Sequence, residues 1–397
     1  MRERVVVTGT SLVCSLGASP EEAANRLLEG GSGLNPCGLE ALGVKEAAWF
    51  GEVGADLKQA LGGKGWRNHN RAALMACLAA RELRKESGLE QAWRPEDAGL
   101  VMGYNHNIFS EEFVETIRNQ NLSLLNPAFF LNISTNATAS QVTIYLKAQA
   151  FAMTVTTGFT AGLEALDQAA LALRAGRARW VMAGGAEERN EQFRYSFHQA
   201  FRRNADAGQA TALRLGAPNQ ITAGEGCGLM MLETEGEARA RGARVLGGLL
   251  GSGMGVNPGA KGGDPAAAEA ALRQALKQAG LEARDVSAVF VAGNGHASQD
   301  QAEAKALERV FGGNLPPATA LKGALGETYH AHGTLAAVLA LECLRQGRIP
   351  GTLNLGDAGL AQRINLNREA RAVSGKRAVV LALEQDRKAA ALVLEAA

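Results

Sequence analysis

Short apolar runs alternate along the chain with longer segments in which alanine and leucine recur at helical spacing. The first type predicts buried strands and the second predicts helices. Ser19-Pro20-Glu21-Glu22 has the cap serine, first-turn proline and early acids of a helix start, and we expect that helix to reach Leu28. Further strands are predicted at 4–9, 99–103, 155–157, 180–185, 224–233, 245–250 and 286–291, and further helices at 71–87, 161–173, 234–241, 265–280, 301–310 and 333–346.

The second half of the chain repeats the alternation of the first. Two late apolar runs, 377–383 and 389–395, are predicted to pair as a hairpin. Residues 252–264 are rich in glycine but short, so we interpret them as a loop on the active-site side or as a connection between the halves. Alternation in two comparable halves favours stacked α/β layers, and we divide the chain into 1–244 and 245–397.

Composition narrows the function classes. The chain has 397 residues, 46% of them hydrophobic, with 41 Lys+Arg against 40 Asp+Glu. That charge balance argues against a nucleic-acid partner, because phosphate contacts need a basic excess. No apolar run approaches the roughly 18 residues of a membrane span. The five cysteines are dispersed and lack metal or redox spacing, which indicates reduced thiols in a cytoplasmic protein without a metal site. No cofactor is expected.

Four strings occur in order along almost the whole chain. They are Arg4-Val5-Val6-Val7-Thr8-Gly9 with Gly17; Ala183-Gly184-Gly185-Ala186-Glu187; Ala223-Gly224-Glu225-Gly226 with Ala240-Arg241-Gly242-Ala243; and Leu344 to Leu355, which reads LRQGRIPGTLNL. Together they resemble the β-ketoacyl synthases of the thiolase superfamily. The resemblance implies an α/β, thiolase-like, five-layered αβαβα fold with two pseudo-duplicated halves. It places the helix of the nucleophile position and the dimer interface in the first half.

The resemblance also implies a particular chemistry. A cysteine at the N-terminus of a buried helix takes an acyl chain from an acyl carrier protein. Two histidines then support decarboxylation of a malonyl unit, and a glycine-rich loop near the C-terminus completes the oxyanion hole.

The chain departs from the family pattern at each of these places. Phe159 stands at the cysteine position, in Thr157-Gly158-Phe159-Thr160-Ala161-Gly162. The first histidine falls on Ala292 or Gly293, the second on Glu327, and Leu383-Glu384-Gln385-Asp386-Arg387 replaces the glycine loop. Asp300 and Glu303 fit later acids of the pattern, and Lys322 is retained from the usual catalytic set.

These departures indicate a subunit without catalytic residues of its own, similar to the chain-length factors, or KSβ subunits, of type II polyketide synthases. Such subunits form heterodimers with an active ketosynthase, meet the acyl carrier protein through that complex, and shape the acyl tunnel. They usually carry glutamine at the cysteine position, so Phe159 leaves aromatic, polyene and aryl-polyene systems all open. Two alternatives remain: an active synthase or acyltransferase that uses His296, His330 or Cys227, and a homodimeric acyl-binding scaffold.

Several residues have both a functional and a purely structural interpretation. Phe159 is either a plug of the acyl pocket or a core side chain. The aromatic candidates for the tunnel or interface, which core packing explains equally well, are Phe109, Phe113, Phe129 and Phe130. His332, like His330, is more often structural than catalytic, and Glu327 is a candidate ion-pair partner of Lys322. Basic residues that could face an acidic carrier protein, or simply water, are Arg202 and Arg203, or Arg81, Arg84 and Lys85.

Overall fold

A computed structural model describes residues 3–39, 44–66, 69–104, 116–119, 123, 134–188, 222–355, 358–384 and 387–397. Its strands are β1 (Val5–Cys14), β2 (Leu34–Leu39), β3 (Val44–Gly51), β4 (Ala98–Gly103), β5 (Phe151–Val155), β6 (Trp180–Glu187), β7 (Gly226–Thr234), β8 (Gly247–Val256), β9 (Ala288–Val291), β10 (Ala318–Ala320), β11 (Arg348–Ile349), β12 (Arg371–Ala372), β13 (Arg377–Glu384) and β14 (Lys388–Ala396). Its α-helices are α1 (Pro20–Leu28), α2 (Leu57–Ala60), α3 (Arg71–Glu86), α4 (Ala137–Leu146), α5 (Ala161–Arg174), α6 (Glu235–Ala240), α7 (Ala266–Ala279), α8 (Ala297–Phe311), α9 (Lys322–Leu325), α10 (Tyr329–Arg345) and α11 (Ala358–Arg363).

The main strands form two five-stranded units with the same topology. The first runs in the order β5-β4-β6-β7-β1 and the second in the order β10-β9-β13-β14-β8. In the first, β4 pairs in parallel with β5 and β6, while β7 is antiparallel to β6 and β1. In the second, β9 pairs in parallel with β10 and β13, while β14 is antiparallel to β13 and β8. The two pseudo-duplicated halves are therefore present.

The halves are joined at the edges of the two units and through their helices. Strands β1 and β8 pair antiparallel over three positions, from Val5↔Leu249 to Val7↔Gly247. Helices α5 and α10 contact each other, α5 packing against β4 and β6 and α10 against β6, β7, β13 and β14. Helices α3 and α4 lie on the outer side of the first unit, and α7 and α8 pack together on the second. This arrangement is the five-layered αβαβα fold. The exact boundary between 244 and 245 stays a prediction.

The glycine-rich segment 252–264 is not a loop throughout, because β8 continues to Val256. Gly251, Gly253 and Gly255 alternate along β8 and face α7. A Cβ on Gly251 would lie 2.6 Å from the Ala279 nitrogen, and a Cβ on Gly253 would lie 2.6 Å from the Ala275 nitrogen. These glycines therefore allow a helix to lie directly on the strand, rather than marking a turn.

Other boundaries also differ from the sequence prediction, and strand β1, for example, continues to Cys14 rather than ending at residue 9. Helix α10 begins at Tyr329 rather than at 333, and α8 begins at Ala297 rather than at 301. Gly333 lies inside α10, where a Cβ would be 2.6 Å from Leu163 Cγ of α5, so close helix packing explains it better than a helix end. Strand β5 runs from Phe151 to Val155, so it overlaps the strand predicted at 155–157 at Val155 alone, and the next residues lead into a turn. The predicted hairpin is confirmed as β13 and β14.

None of the helices in the described part of the chain has both the length and the hydropathy needed to cross a membrane.

We expect Gly253→Ala to lower the free energy of unfolding by about 1–3 kcal/mol, because the added methyl group would overlap the backbone of α7. Urea denaturation followed by circular dichroism measures the change. Gly313→Ala is the matched control, since no atom lies within 4 Å of its built Cβ. Equal stability of the two variants would contradict the close approach of α7 to β8.

Candidate functional site

A short 3-10 turn, Gly158–Thr160, connects the end of β5 to the buried helix α5. Phe159 lies in this turn, so the nucleophile position predicted from the sequence is at the N-terminal end of a central helix. Gly158 has φ +80, a left-handed conformation that glycine adopts without steric cost. The half-buried Phe159 side chain packs against Tyr329, with ring centroids 4.4 Å apart and an edge-to-face angle of 72°.

Tyr329 connects this turn to the second central helix. It is the first residue of α10 and has φ 36, which is unfavourable for a bulky side chain. Its backbone N–H donates to Glu327 Oε1 at 2.9 Å. Burial and the nearby Glu327 carboxylate raise the pKa of the Tyr329 hydroxyl, so the phenol stays neutral. The strained backbone is thus held by a carboxylate two residues earlier.

Lys322 and Glu327 form the ion pair that the sequence analysis suggested. Lys322 Nζ lies 2.7 Å from Glu327 Oε2, and both side chains are buried. Lys322 Nζ also donates to Asn294 Oδ1, and Asn294 Nδ2 donates to the Leu383 carbonyl at 3.2 Å. A buried charge is tolerated when it is paired and hydrogen-bonded in this way. The retained lysine therefore binds both the Glu327 position and the loop around Gly293.

That loop is held by a second buried carboxylate. Glu303 of α8 accepts the backbone N–H groups of Ala292, at 2.7 Å, and Gly293, at 3.0 Å. Desolvation by burial raises the pKa of Glu303, although these two hydrogen bonds and Lys322 act in the opposite direction. Asp300 is also buried in α8.

A third carboxylate comes from the end of β13. Glu384 Oε2 accepts the backbone N–H of Phe159 at 3.2 Å. Across the hairpin, Lys388 Nζ donates to the Thr157 carbonyl at 2.8 Å and lies 2.5 Å from Glu164 Oε1. The hairpin of the second half therefore closes over the turn of the first half.

The structure brings the four positions of the predicted site, Phe159, Gly293, Lys322 and Glu327, into one contact network. Sequence reasoning missed three of its connecting residues, namely Tyr329, Asn294 and Glu384. Glu384 was visible only as part of the string that replaces the expected glycine loop. Glu384 accepts the backbone N–H of Phe159, which lies more than 200 positions earlier in the chain. The spacing of residues along the sequence therefore gave no indication of this contact.

The residues considered for a relocated active site do not form a cluster. His330 is buried and lies 2.7 Å from Glu187 Oε2. His296 stands at the N-cap position of α8 without a capping hydrogen bond from its side chain, and its Nδ1 lies 3.1 Å from Ser298 Oγ. Cys227 lies in the middle of the sheet on β7, and burial raises the pKa of its thiol far above the normal range. A buried, protonated thiol is a poor nucleophile.

His332 is the unusual histidine of the site region. It is 2% exposed, and both of its ring nitrogens lack a hydrogen-bond partner among the described residues. Burial and the nearby Lys322 lower its pKa well below the ordinary value, which keeps the ring neutral.

Other predicted residues are placed away from this network or outside the described residues. Phe109, Phe113, Phe129 and Phe130, like Arg202 and Arg203, lie outside the described residues. On α3, Arg81 pairs with Glu82 and Arg84 lies over the Trp93 ring, so both have intramolecular partners. Within the described ranges, no group of His, Cys, Asp and Glu is arranged to hold a metal ion. All five cysteines are outside disulfides, as the sequence indicated.

The fold and the position of this network at the start of a buried helix define a condensing-enzyme architecture. Residues 2–238 match the N-terminal domain of the β-ketoacyl synthases and residues 249–356 match the C-terminal domain. The chain belongs to the β-ketoacyl synthase family.

Curated relatives are similar in sequence over most of the chain. Nodulation protein E of Rhizobium sp. (strain N33) is 27% identical over 381 residues, covering 89% of each chain. The 3-oxoacyl-[acyl-carrier-protein] synthase 2 of Mycobacterium bovis is 27% identical over 367 residues, covering 88% of this chain and 87% of the relative.

Solved structures share the fold. The ishigamide ketosynthase/chain length factor superposes with a TM-score of 0.86 at 24% identity and full coverage of both chains. A type II polyketide synthase acyl-carrier protein in complex with its ketosynthase, bound to the hexaketide, gives 0.83 at 20% identity, also with full coverage.

We expect Lys322→Met to lower the free energy of unfolding by about 3–5 kcal/mol, because it leaves the Glu327 carboxylate buried without its cation. The double variant K322M/E327Q should recover at least about 1 kcal/mol of that loss, since it removes both charges and keeps an acceptor for the Tyr329 N–H. Urea denaturation measures all three proteins. Arg363→Met is the control, because its pair with Glu308 is exposed and should contribute less than about 1 kcal/mol. A double variant less stable than K322M would contradict this account.

Because His332 is buried in its neutral form, we expect the protein to lose stability in mild acid. The pKa of a histidine is about 6.5 in the unfolded chain and is lowered in the folded protein. Its stabilising effect is therefore fully present above about pH 6.5 and is lost as the pH falls below it. Between pH 7 and pH 5.5, wild type should lose about 1 kcal/mol more than His332→Leu, measured by urea denaturation at each pH. Parallel pH profiles would show that His332 is not held neutral.

Proposed function

We propose that this chain is a catalytically silent, ketosynthase-like chain-length factor. It would form a heterodimer with an active β-ketoacyl-acyl carrier protein synthase in type II polyketide biosynthesis, of the aromatic, polyene or aryl-polyene kind, and shape the acyl tunnel. The observation that carries the proposal is Phe159, which stands in the turn before α5 with its ring against Tyr329 and its N–H bonded to Glu384. A phenyl ring has no atom that can form a thioester.

The chemistry around Phe159 supports the same conclusion. Oxyanion stabilisation needs hydrogen-bond donors aimed at the developing negative charge. Here Glu327, Glu303 and Glu384 contribute acceptors, and they bind the local N–H groups themselves. Lys322 is the retained cation of this region, and it is paired with Glu327. This set of side chains stabilises the protein rather than a reaction intermediate.

In the described part of the chain, the outer edge of the first sheet unit is unpaired, which supports dimer formation. Among the described strands, β5 pairs with β4 alone, so its other edge presents backbone N–H and C=O groups. The neighbouring helix α4 contacts β5 and places Ile144, which is 71% exposed, on the surface. An open strand edge beside an exposed apolar side chain is suited to pairing with another chain of the same fold.

In this proposal the partner ketosynthase holds the substrate. The acyl chain would remain on the cysteine of the active ketosynthase and on its acyl carrier protein, while this chain would contribute part of the tunnel wall. Phe109, Phe113, Phe129, Phe130 and Phe159 are the proposed wall residues. A larger or smaller side chain at the end of such a tunnel changes the length of chain that fits.

We expect the isolated chain to form no acyl adduct when it is incubated with malonyl- and acyl-loaded carrier protein, because Phe159 cannot be acylated. Intact-mass spectrometry of the protein measures the adduct. The positive control is the proposed partner, a ketosynthase of the same organism whose cysteine and two histidines are intact, and its cysteine-to-alanine variant is the negative control. A stoichiometric adduct on this chain would overturn the silent role.

The same preparation tests the heterodimer. Co-expression with that ketosynthase should give a 1:1 complex in sedimentation velocity, and Ile144→Asp should weaken it. Val256→Asp is the matched control, since Val256 is a 66% exposed apolar residue on β8, in the other half.

Alanine at Phe109, Phe113 or Phe129 should change product length in the active complex. A stable homodimer that ignores the ketosynthase, or unchanged product lengths in all three variants, would contradict the proposal.

A further inference from the structure

Glu384 is the last residue of β13, at the start of the tight connection to β14. Its carboxylate extends across the boundary between the two halves and accepts the N–H of Phe159 at 3.2 Å. This N–H belongs to the turn that begins the buried helix α5. A helix N-terminus attracts negative charge because its first N–H groups lack intrahelical partners and the helix dipole is positive there.

The turn is shaped to accept this carboxylate. Gly158 has φ +80, and a Cβ built on it would overlap the Glu384 carboxylate oxygens and lie 2.7 Å from Glu384 Cδ. Any residue other than glycine would displace the carboxylate. The contact therefore depends on three parts of the structure: a glycine in the turn, a backbone donor and a carboxylate from the other half.

Among the described residues around the turn, two lysines are each paired with a glutamate. Lys388 of the hairpin binds Glu164 of α5 and the Thr157 carbonyl, and Lys322 binds Glu327 next to α10. Tyr329, which contacts the Phe159 ring, is kept neutral by burial, which raises the pKa of its hydroxyl. Glu384 belongs to neither of these pairs, so we expect Glu384→Gln to leave both in place.

We propose that Glu384 is an internal anion that occupies the backbone donor at the nucleophile position and excludes a thiolate or an acyl oxyanion from it. The inference rests on the proposed function, which places the former nucleophile at residue 159. It adds a second barrier to activity that is independent of the Phe159 side chain. Restoring a cysteine at 159 alone would place its sulfur next to a carboxylate, and like charges disfavour the thiolate.

The test compares Phe159→Cys with F159C/E384Q, both carrying Cys37→Ser. Glutamine keeps an oxygen that can accept the N–H but removes the charge. The other four native cysteines are buried, and burial raises the pKa of Cys14 to about 11 and that of Cys77 and Cys343 to about 12, with Cys227 higher still. Their slow reaction separates them from the thiol introduced at position 159. The rate of iodoacetamide alkylation against pH gives the pKa of this introduced thiol.

We expect the pKa of the introduced thiol to fall by about one unit in F159C/E384Q, with several-fold faster alkylation at pH 7. F159C/E282Q is the matched control, because it removes one carboxylate that pairs with Arg284 at the surface, and it should behave as F159C. Equal pKa values in F159C and F159C/E384Q would overturn the proposal. An equal decrease in the E282Q control would overturn it too, because the effect would then be a general one of net charge.

A second measurement uses the native residue at 159. The chain has 12 phenylalanines. In an NMR spectrum of the protein labelled with 15N-phenylalanine, the signal that is lost in Phe159→Leu is that of the Phe159 amide. That amide should shift as a carboxyl group titrates in acid, and the shift should be absent in Glu384→Gln. A Phe159 amide that does not titrate, or that titrates equally in both proteins, would overturn the contact. Neither readout involves acyl transfer, so a failure here is distinct from a failure of the silent-subunit proposal.

Discussion

Backbone N–H groups inside the protein need hydrogen-bond acceptors, and this requirement explains why three carboxylates lie near the starts of the central helices and the neighbouring loop. The first N–H groups of the two central helices have no partners within the helices themselves. Glu384 accepts the N–H of Phe159 before α5, and Glu327 accepts the N–H of Tyr329 at the start of α10. Glu303 performs the same role for the loop at Ala292 and Gly293. Each of these carboxylates stabilises a local backbone conformation that would otherwise carry an unpaired donor.

The same requirement explains why the site is made by both halves of the chain. The turn at Phe159 belongs to the first half, whereas the hairpin, Lys322 and α10 belong to the second. Lys322 pairs with Glu327, and Lys388 pairs with Glu164, so these two carboxylates near the turn each have a cation beside them. In a condensing enzyme, such donors and cations are available to the substrate. Here the protein's own side chains occupy them, which is the physical basis of the silent role that we propose.

Close packing by glycine is the second structural theme. Gly253 lets α7 lie on β8, and Gly333 lets α10 lie against α5. The sequence predicted a loop around Gly253 and the start of a helix at Gly333, whereas both glycines lie inside regular elements. A glycine that permits close approach cannot be distinguished from one that permits a turn without knowing its neighbour. The hairpin of β13 and β14 was predictable, since apolar runs of matched length separated by a short polar segment are a local signal.

The sequence alone determined most of the long strands and helices and the two-half α/β architecture, and it predicted which residues stand at the positions of the family's catalytic set. Those features follow from local periodicity and from motif spacing, which are written along the chain. Tertiary structure decided what these residues contact. The Phe159 ring meets Tyr329, and its N–H meets Glu384 from a hairpin 225 positions away. The partner of a backbone donor depends on how distant segments pack, and that packing has no signature in either segment by itself.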